Sequence, residues 1–254
     1  MNFTRAIARE PGRDFANGIT AADLGVPDFD RMIEQHSVYV GTLRNLGLEV
    51  EVLDPLPGCP DAHFVEDTAV VFREAAVITR PGAPSRSTEP FTIAPVVSRY
   101  REIFTIEPPG TLDGGDVLQI GTRFFVGISG RTNEHGARQL GTIVERFGYT
   151  WTPIAVGEGL HLRASVNFVG NNSVIATEAF ADIEEFRAFD TILLEDGESY
   201  AANTLLVNDH LITPRGFPRV VDELSRLGMP VIELDMSESR KMDGGLTCLS
   251  LRFT

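Results

Sequence analysis

The chain has 254 residues, of which 43% are hydrophobic and 23% charged, the profile of a globular protein long enough to bury a large core. Its net charge of −14, from 22 lysines and arginines against 36 aspartates and glutamates, argues against nucleic acid or an anionic membrane surface as partner. No apolar run approaches the roughly 20 residues of a membrane span. The first residues lack the apolar core of a signal peptide, and two unclustered cysteines exclude a disulfide scaffold, so we expect a cytoplasmic protein.

The N-terminal part of the chain predicts one helix between two strands. The apolar strand Phe3–Pro11 has no partner next to it in the sequence with which to form a hairpin. A helix is predicted at Asp28–Leu46, and the strand Glu49–Leu53 follows it.

Four later segments repeat one plan, in which a polar residue precedes an apolar strand, a short polar turn and a second apolar strand. They span residues 67–82, 116–129, 165–177 and 203–216, with turns of hairpin composition at 73–75, 121–123, 170–172 and 208–210. A recurring unit of this size indicates a repeat architecture.

Helices and single strands are predicted between the hairpins. The helical segments carry apolar residues at helical spacing, and we expect Thr132 to cap one of them. These segments are Glu89–Arg101, Thr132–Phe147 and Arg219–Leu227, and the single strands that follow are Phe104–Ile106, Thr152–Val156 and Val231–Leu234.

The two ends of the chain complete the count of units. The apolar run Leu246–Leu251 has no second strand after it, and Phe3–Pro11 has no first strand before it. We therefore predict that they pair and close a ring of five strand–hairpin–helix units, in a single α/β domain that spans residues 1–254, because closure removes exposed sheet edges. The alternative is an ordinary open α/β sheet with coincidental similarity between segments.

In such a ring, the polar residues that begin the repeats converge on the central axis. They are Asp61, Glu66, Asp67, Asp113, Asp116, His161, Asn203 and Cys248. Cys248 follows a Gly-Gly pair, and we expect its thiol at the tip of a strand, facing a cavity. A lone free cysteine is more often a buried small hydrophobe, and a lone histidine is more often a satisfied core residue. Their convergence makes Cys248 a candidate nucleophile and His161 its acid or base.

The charged motifs predict a ligand with two different ends. Acidic residues directly precede apolar strands at 61–67 and 111–116. Buried carboxylates need either hydrogen bonds from loop amides or a cationic partner. Two such motifs directed at one place favour a cationic ligand. Arg86 and Arg131, which in isolation would be solvated loop residues, could clamp a carboxylate. Arginine and its derivatives have both a cationic end and a carboxylate end.

These motifs resemble the dimethylarginine dimethylaminohydrolase family, which belongs with arginine deiminases and amidinotransferases to the guanidino-modifying superfamily. The matching stretches cover nearly the whole chain: Phe64–Asp67, Ile78–Arg86, Thr111–Asp116, Arg131–Asn133, Leu160–Leu162, Tyr200–Asn203 and Asp243–Cys248. The resemblance implies a five-unit, pseudo-symmetric, closed α/β propeller, which agrees with the count of units above.

The resemblance also implies a role for each site residue. Cys248 would be the nucleophile, His161 the proton donor and acceptor, and Asp113 the acid of the catalytic triad. Asp67 and Asp113 would hold the guanidinium. The other substrate-binding residues would be Glu66, which supports these acids, and Asp61, Arg86, Arg131 and the carbonyls of Ile19 and Met242 at the amino-acid end. Family members often have leucine where this chain has Ile19.

The implied activity is hydrolysis of Nω-methylated arginines to citrulline plus dimethylamine or methylamine, through a thiouronium adduct on Cys248 and with no metal or organic cofactor. An arginine deiminase-type hydrolase acting on free arginine or another guanidine would need the same residues. A non-catalytic ligand- or zinc-binding protein is a further alternative, because cysteine, histidine and aspartate can bind zinc, although the sequence has no tight Cys/His spacing. The sequence is compatible with a homodimer and does not fix the oligomeric state.

Overall fold

The computed structural model describes residues 2–157 and 160–254, which form a mixed α/β fold. The strands of these ranges are β1 (Arg5–Arg9), β2 (Glu49–Leu53), β3 (Ala69–Val71), β4 (Ala75–Ile78), β5 (Glu102–Thr105), β6 (Val117–Ile120), β7 (Arg123–Ile128), β8 (Thr150–Ala155), β9 (Val166–Gly170), β10 (Ser173–Ala176), β11 (Asp190–Leu193), β12 (Leu205–Val207), β13 (His210–Pro214), β14 (Val231–Leu234) and β15 (Leu251–Phe253). The helices are α1 (Phe29–Asn45), α2 (Pro90–Val97), α3 (Glu134–Glu145), α4 (Glu178–Ala181), α5 (Pro218–Ser225) and α6 (Ser237–Arg240). Within the described ranges, no helix combines the length and apolarity that a membrane span requires.

The strands form five separate sheets of three strands each. The sheets are β3-β4-β5, β6-β7-β8, β9-β10-β11, β12-β13-β14 and β15-β1-β2. In every sheet the middle strand pairs antiparallel with the first strand and parallel with the third. The parallel partner arrives after a longer crossover, which contains one helix in each of the five sheets (α1, α2, α3, α4 or α5), as parallel pairing requires.

The fifth sheet brings together the two ends of the described chain. Strand β1 pairs antiparallel with β15, with Arg5 opposite Phe253 and Ile7 opposite Leu251. On its other side β1 runs parallel to β2. An edge that would otherwise remain open is therefore covered.

A short 3-10 turn precedes the first strand of each sheet. These five turns, which we call the inner turns, are Val65–Thr68, Gly114–Asp116, Leu162–Ala164, Ser199–Ala202 and Thr247–Leu249. The strands that begin the five sheets (β3, β6, β9, β12 and β15) are called the inner strands. Several of them lie side by side across sheet boundaries, namely β15 with β3, β6 with β9, and β9 with β12.

Hydrogen bonds join the inner turns to one another in a cycle. The bonds run from Gly115 N to Asp67 Oδ1 (2.9 Å), from Leu162 N to Asp116 Oδ1 (2.9 Å), from Asn203 Nδ2 to Arg163 O (3.3 Å), from Thr247 N to Asn203 Oδ1 (2.9 Å) and from Thr247 Oγ1 to Glu66 Oε2 (2.7 Å). All five turns, or residues next to them, take part. Polar groups at the starts of the inner strands are thereby held at one place.

The helices cover the sheets with amphipathic faces. Helix α1 buries Met32, Tyr39 and Leu43 against the β1 sheet, and its N-terminus is capped by the Asp28 side chain, which accepts a hydrogen bond from the main-chain N–H of Arg31. The buried face of α3 packs in the same way on the sheet that contains β7 and β8. Such burial supplies most of the stability of helices of this length.

Several boundaries differ from the sequence predictions. Cys248 lies in the inner turn Thr247–Leu249 rather than at the tip of a strand, and β15 begins only at Leu251. The apolar run around it reflects burial of Leu246 and Leu249 in the core, not strand pairing.

The predicted caps and ends of the helices also change. Asn133 caps α3 by accepting a bond from Gly136 N (2.9 Å), because the hydroxyl of Thr132 instead accepts a bond from Asp113 N (3.1 Å). Helix α2 ends at Val97, four residues before the predicted end at Arg101. The sequence analysis did not predict β11 or the short helices α4 and α6.

Two buried histidines outside the inner turns are held neutral. His36 lies on the buried face of α1, and burial lowers its pKa to about 4 despite a hydrogen bond to the main chain of Arg9. His63 packs against the ring of Phe64, with ring centroids 3.9 Å apart, and burial lowers its pKa to about 3. Both side chains therefore favour the uncharged state at neutral pH.

We expect the free energy of unfolding to fall as the pH decreases from about 6.5 towards 4, because both histidines take up a proton when they unfold and resist it when folded. The slope should approach about 1.4 kcal/mol per pH unit for each histidine. Urea unfolding at a series of pH values measures it, and the variants His36→Gln and His63→Gln should each show a shallower decline. Equal slopes in the variants and the parent would contradict this account.

Candidate active site

A small cleft lies at the ends of the inner strands where the inner turns meet. Its volume is about 30 Å³, and it is lined by Ile19, Asp61, Phe64, Asp67, Arg86, Arg131, Leu160, His161, Met242, Asp243, Gly244 and Cys248. Eight of the ten residues predicted from sequence thus line one cleft. The other two, Asp113 and Glu66, lie behind it and are described below.

His161 is the proton-carrying group of the cleft. Its Nε2 lies 2.9 Å from Oδ2 of Asp113, a carboxylate with no solvent exposure, and 3.9 Å from Oδ1 of Asp67. Burial disfavours the imidazolium, but the charge of Asp67 and the hydrogen bond of Asp113 outweigh it, and they raise the pKa of His161 to about 9. His161 is therefore protonated at neutral pH and can donate a proton.

Two loops fix the orientation of the Asp113 carboxylate. Its Oδ1 accepts a hydrogen bond from Gly82 N (2.9 Å), and its main-chain N–H donates to the Thr132 hydroxyl (3.1 Å). A side chain at position 82 would collide with the main chain of Arg131, so only glycine allows this approach. Asp113 is thus positioned by main-chain groups before any ligand arrives.

Asp67 remains ionised although it is buried. Its Oδ1 accepts a bond from Gly115 N (2.9 Å), and its Oδ2 accepts one from Nη1 of Arg86 (2.5 Å). Burial alone would raise the pKa of this carboxyl, but the positive charges of His161 and Arg86 lower it below the ordinary value. The cleft therefore presents a fixed negative charge next to a fixed positive one.

Arg86 is bound almost entirely to acceptors of the protein. Only 4% exposed, it donates through Nε and Nη2 to both carboxylate oxygens of Glu89 (2.8–3.2 Å) and through Nη2 to the carbonyl oxygen of Phe64 (3.0 Å). Its Nη1 donates to Asp67. Arg131 is more open: its side chain is 16% exposed and its Nη1 lies 3.9 Å from Asp113 Oδ2.

The segment that contains Ile19 covers the mouth of the cleft. The main-chain N–H of Ile19 lies 3.1 and 3.2 Å from the two carboxylate oxygens of Asp61. The main-chain N–H of Ala21 donates to Oδ2 of Asp243 (2.6 Å). Burial raises the pKa of Asp61, and the nearby charge of Arg86 opposes this only in part. Met242 lines the wall next to Asp243 and is buried.

Cys248 is the only cysteine among the lining residues of the described cleft. Burial is the main cause that raises the pKa of its thiol to about 12, and the negative charges of Glu66 and Asp67 act in the same direction. A weak hydrogen bond from Gly245 N to Sγ (3.4 Å) opposes the shift. Without a ligand, the group is therefore a neutral thiol.

Glu66 supports the turn that carries Cys248 and does not reach the cleft. Its Oε2 accepts a bond from the hydroxyl of Thr247 (2.7 Å), and its Oε1 accepts bonds from Arg163 and from Nη2 of Arg252 (3.4 Å). Because Thr247 directly precedes Cys248, the charge and position of Glu66 affect the thiol from behind.

Three groups at and directly behind the cleft could face a metal ion. Asp67, Asp113 and His161 each offer one ligand atom, and these three atoms lie within 4.8 Å of one another. The three groups already form hydrogen bonds within the protein, and the guanidinium of Arg86 lies against Asp67. A dication next to that guanidinium would be repelled, so this donor set fits a metal poorly.

Three functional side chains escaped the sequence analysis. Glu89 was assigned only to a helix, although its spacing of three residues from Arg86 permits the bidentate pair that the structure has. Arg163 follows His161 closely in the sequence, but nothing there indicates that it reaches Glu66, which is 97 positions away. The role of Thr247 depends on the same distant partner.

No protein-family model matches the chain. The chain is 40% identical over 253 residues to the N(G),N(G)-dimethylarginine dimethylaminohydrolase of Pseudomonas aeruginosa, with 99% of this chain and 100% of that protein covered. It is 36% identical over 254 residues to the protein of the same name from Streptomyces coelicolor, with 99% of this chain and 98% of that protein covered.

A solved structure of the Pseudomonas aeruginosa dimethylarginine dimethylaminohydrolase has nearly the same fold. That protein is a cysteine-to-serine variant in complex with citrulline. It matches this chain with a TM-score of 0.98 and 39% identity, and the match covers 100% of both chains. The similarity of fold thus extends over the entire cleft described above.

The substitution Glu89→Gln should lower the free energy of unfolding by about 3 kcal/mol, because it leaves the buried guanidinium of Arg86 with one carboxylate fewer. The matched control is Glu51→Gln, which removes the carboxylate from a surface pair with Arg99 whose side chains are 34% and 51% exposed. That control should cost much less, because solvent screens the surface pair. Denaturant unfolding of both variants measures the difference, and equal costs would show that the Glu89 pair does not behave as a buried one.

Proposed function

The chain belongs to the dimethylarginine dimethylaminohydrolase family, and on this basis we propose that it hydrolyses Nω-methylated arginines to citrulline and dimethylamine or methylamine. The observation that carries the proposal is the pairing of a protonated His161 with Asp113 in the cleft that also holds Cys248. An acid, a nucleophile and a carboxylate for a cation are thus close together.

The charges of the cleft suit the two ends of this substrate. The guanidinium would lie against the ionised Asp67, between Asp113 and the thiol of Cys248. At the other end, Arg131 and the remaining N–H of Arg86 Nη1 would bind the α-carboxylate, and Asp61 would bind the α-ammonium group. The carbonyls of Ile19 and Met242 would complete this end.

Binding would itself activate the nucleophile. The thiol of the resting protein is neutral because burial and two nearby carboxylates disfavour the thiolate. A guanidinium placed between these groups adds a positive charge, which favours the thiolate and lowers the pKa of Cys248. The proton leaves to solvent, and the sulfur is charged only when its target is present.

Chemistry would then proceed in two halves. The sulfur of Cys248 attacks the central guanidinium carbon, the carbon–nitrogen bond to the methylated amine breaks, and His161 gives its proton to the departing amine. This leaves a thiouronium adduct on the sulfur. The neutral His161 next accepts a proton from water, whose oxygen attacks the same carbon. The carbon–sulfur bond then breaks, the remaining hydroxyl proton passes to the sulfur, and citrulline and the neutral thiol of Cys248 are released. Asp113 holds the imidazole in place in both halves.

The cleft must open to admit a substrate, because about 30 Å³ is room for only about two water molecules. We propose that the segment 17–25 moves to allow entry. Its hydrogen bonds with the rest of the protein here run from Ile19 to Asp61, from Thr20 to Asp243 and to the carbonyl oxygen of Lys241, and from Ala21 to Asp243, and all are exposed or partly buried. A bound substrate would replace the bond between Ile19 and Asp61.

For the fold we propose that the five sheets are the blades of a closed propeller around the cleft. The identical topology of the five sheets supports this, as does the antiparallel pairing of β1 with β15. The cycle of hydrogen bonds among the inner turns is what such a closed arrangement requires. On this proposal, the cleft lies at one end of the propeller axis.

The purified protein should produce citrulline from asymmetric dimethylarginine and from monomethylarginine, with stoichiometric release of the methylated amine. The variant Cys248→Ser should lose at least about a thousandfold in kcat while it unfolds at the same urea concentration, because a serine hydroxyl ionises far less readily than a thiol. Cys59→Ser is the matched control and should retain the parent rate, since Cys59 does not line the cleft. Citrulline and ammonia from unmodified arginine, with no reaction of the methylated substrates, would overturn the substrate assignment and leave the nucleophile in place.

A cationic ligand should create a thiolate at a pH where the free protein has none. In a Cys59→Ser background, which leaves Cys248 as the one thiol, the ultraviolet absorbance of thiolate should be absent at about pH 8. Saturating L-lysine should raise it, because the ligand ammonium stands in for the guanidinium, and its neutral isostere L-norleucine should not. Thiolate absorbance in the ligand-free protein at that pH would contradict activation by the substrate.

A further inference from the structure

Asp116 is a buried carboxylate that the mechanism above does not use. It ends the inner turn Gly114–Asp116, has no solvent exposure and does not line the cleft. Its two oxygens accept hydrogen bonds from a main-chain N–H and from a hydroxyl, both of which are uncharged groups. Because burial of a carboxylate is costly, we expect its partners to hold it firmly in one position.

One oxygen of Asp116 holds the segment that carries His161. Oδ1 accepts a hydrogen bond from the main-chain N–H of Leu162 (2.9 Å), the residue that follows His161. The approach is close because position 127 on β7 is a glycine: a Cβ there would lie 2.6 Å from Oδ1 and 3.0 Å from the Cβ of Leu162. Asp116 therefore fixes the main chain from which the imidazole projects.

The other oxygen holds the loop that carries Arg131. Oδ2 accepts a hydrogen bond from the hydroxyl of Ser129 (2.6 Å). The oxygen of that hydroxyl accepts bonds from the main-chain N–H groups of Arg131 (3.0 Å) and Thr132 (3.1 Å). One carboxylate is thus linked to the acid of the cleft on one side and to the guanidinium of Arg131 on the other.

The same hydrogen bonds indicate that Asp116 is charged. The Ser129 oxygen has two lone pairs and already accepts two N–H donors, so a proton on Oδ2 of Asp116 would be a third donor directed at it. Burial raises the pKa of Asp116, and the positive charge of His161 opposes this shift. Burial lowers the pKa of His161, and the charge of Asp67 and the hydrogen bond of Asp113 raise it. The charge of Asp116 adds to their effect.

We propose that Asp116 is a positioning residue for the hydrolysis, which couples the arginine that binds the α-carboxylate to the histidine that donates the proton. It acts through Ser129 and Leu162 and does not touch the substrate. When Arg131 binds the carboxylate, its loop anchors one oxygen of Asp116, and the other oxygen keeps His161 next to Asp113. This role rests on the proposed function, but both links can be measured without turnover, by ligand binding and by titration of His161.

Titration of His161 tests the link to the acid. In Asp116→Asn the pKa of His161 should fall by about one pH unit from about 9, because the imidazolium loses a nearby negative charge. Carbon-13 NMR of the imidazole Cε1 measures it, and His161→Gln assigns the resonance among the five histidines. The other ionisable side chains around the imidazole, which this variant retains, are Asp67, Asp113, Arg86, Arg131 and Cys248.

The matched control for this titration is Asp222→Asn, which removes an exposed carboxylate from α5. It should leave the pKa of His161 unchanged, because solvent screens a distant surface charge. The same pKa of His161 in Asp116→Asn and in the parent would overturn the proposal.

Binding of two diamines tests the link to Arg131. L-Lysine and cadaverine carry the same two ammonium groups, and only L-lysine has a carboxylate for Arg131 to bind. Ser129→Ala cuts the link and keeps the charge of Asp116, so it should lower the preference for L-lysine over cadaverine at least about fivefold and leave the pKa of His161 in place. Asp116→Asn should lower both the preference and the pKa.

Isothermal titration calorimetry measures the two affinities, and circular dichroism checks that each variant is folded. If Ser129→Ala weakens both ligands equally, or weakens neither, the hydroxyl has only a structural role and the proposal is wrong. The Ser129→Ala result decides by itself if Asp116→Asn does not fold.

Discussion

The carboxylate of Asp67 is the contact on which the site depends most. One of its oxygens accepts a bond from the main chain of Gly115, and the other accepts a bond from Arg86, so it joins an inner turn to a loop and to its own turn. It also contributes to the charge that keeps His161 protonated. A buried carboxylate with so many partners is expensive to form and expensive to disturb. This explains why Glu89, which has no direct contact with the thiol, is fully buried against Arg86: it keeps the guanidinium in position for Asp67.

His161 and Cys248 would carry the chemistry, and their charge states differ from those in many cysteine enzymes. The carboxylates around His161 stabilise its protonated form, and the same negative surroundings destabilise a thiolate at Cys248. The resting pair is therefore an imidazolium with a neutral thiol, not an ion pair of the two. Such a site responds to a cation and is indifferent to a neutral ligand, so selectivity for guanidinium compounds follows from the charge of the cleft as well as from its shape.

Much of the fold could be predicted from sequence because the hairpins are local. The turns at 121–123 and 208–210 have hairpin composition, and the strands that flank them form where predicted. The family and eight of the lining residues followed from motifs that are short and contiguous. The inner turns could not be predicted, since a 3-10 turn has little sequence preference of its own and here depends on bonds between distant segments, such as Thr247 with Glu66. The burial of Arg86 was missed for the same reason: an arginine between two serines has no local sign of the acceptors that surround it.

The residues of the site precede strands in four of the five sheets, and a residue before the remaining sheet holds one of them in place. Asp67 precedes β3, Asp113 lies before β6, His161 before β9, and Cys248 before β15, while Asn203 before β12 holds the turn of Cys248. No fragment made of one sheet or of two neighbouring sheets contains a complete set. Local opening of any one sheet removes a member of the set. The catalytic rate therefore depends on the stability of the least stable sheet and not on the average stability of the molecule. A substitution far from the cleft can then abolish activity in a protein whose other four sheets remain folded, and spectroscopic measures of total structure would barely register it.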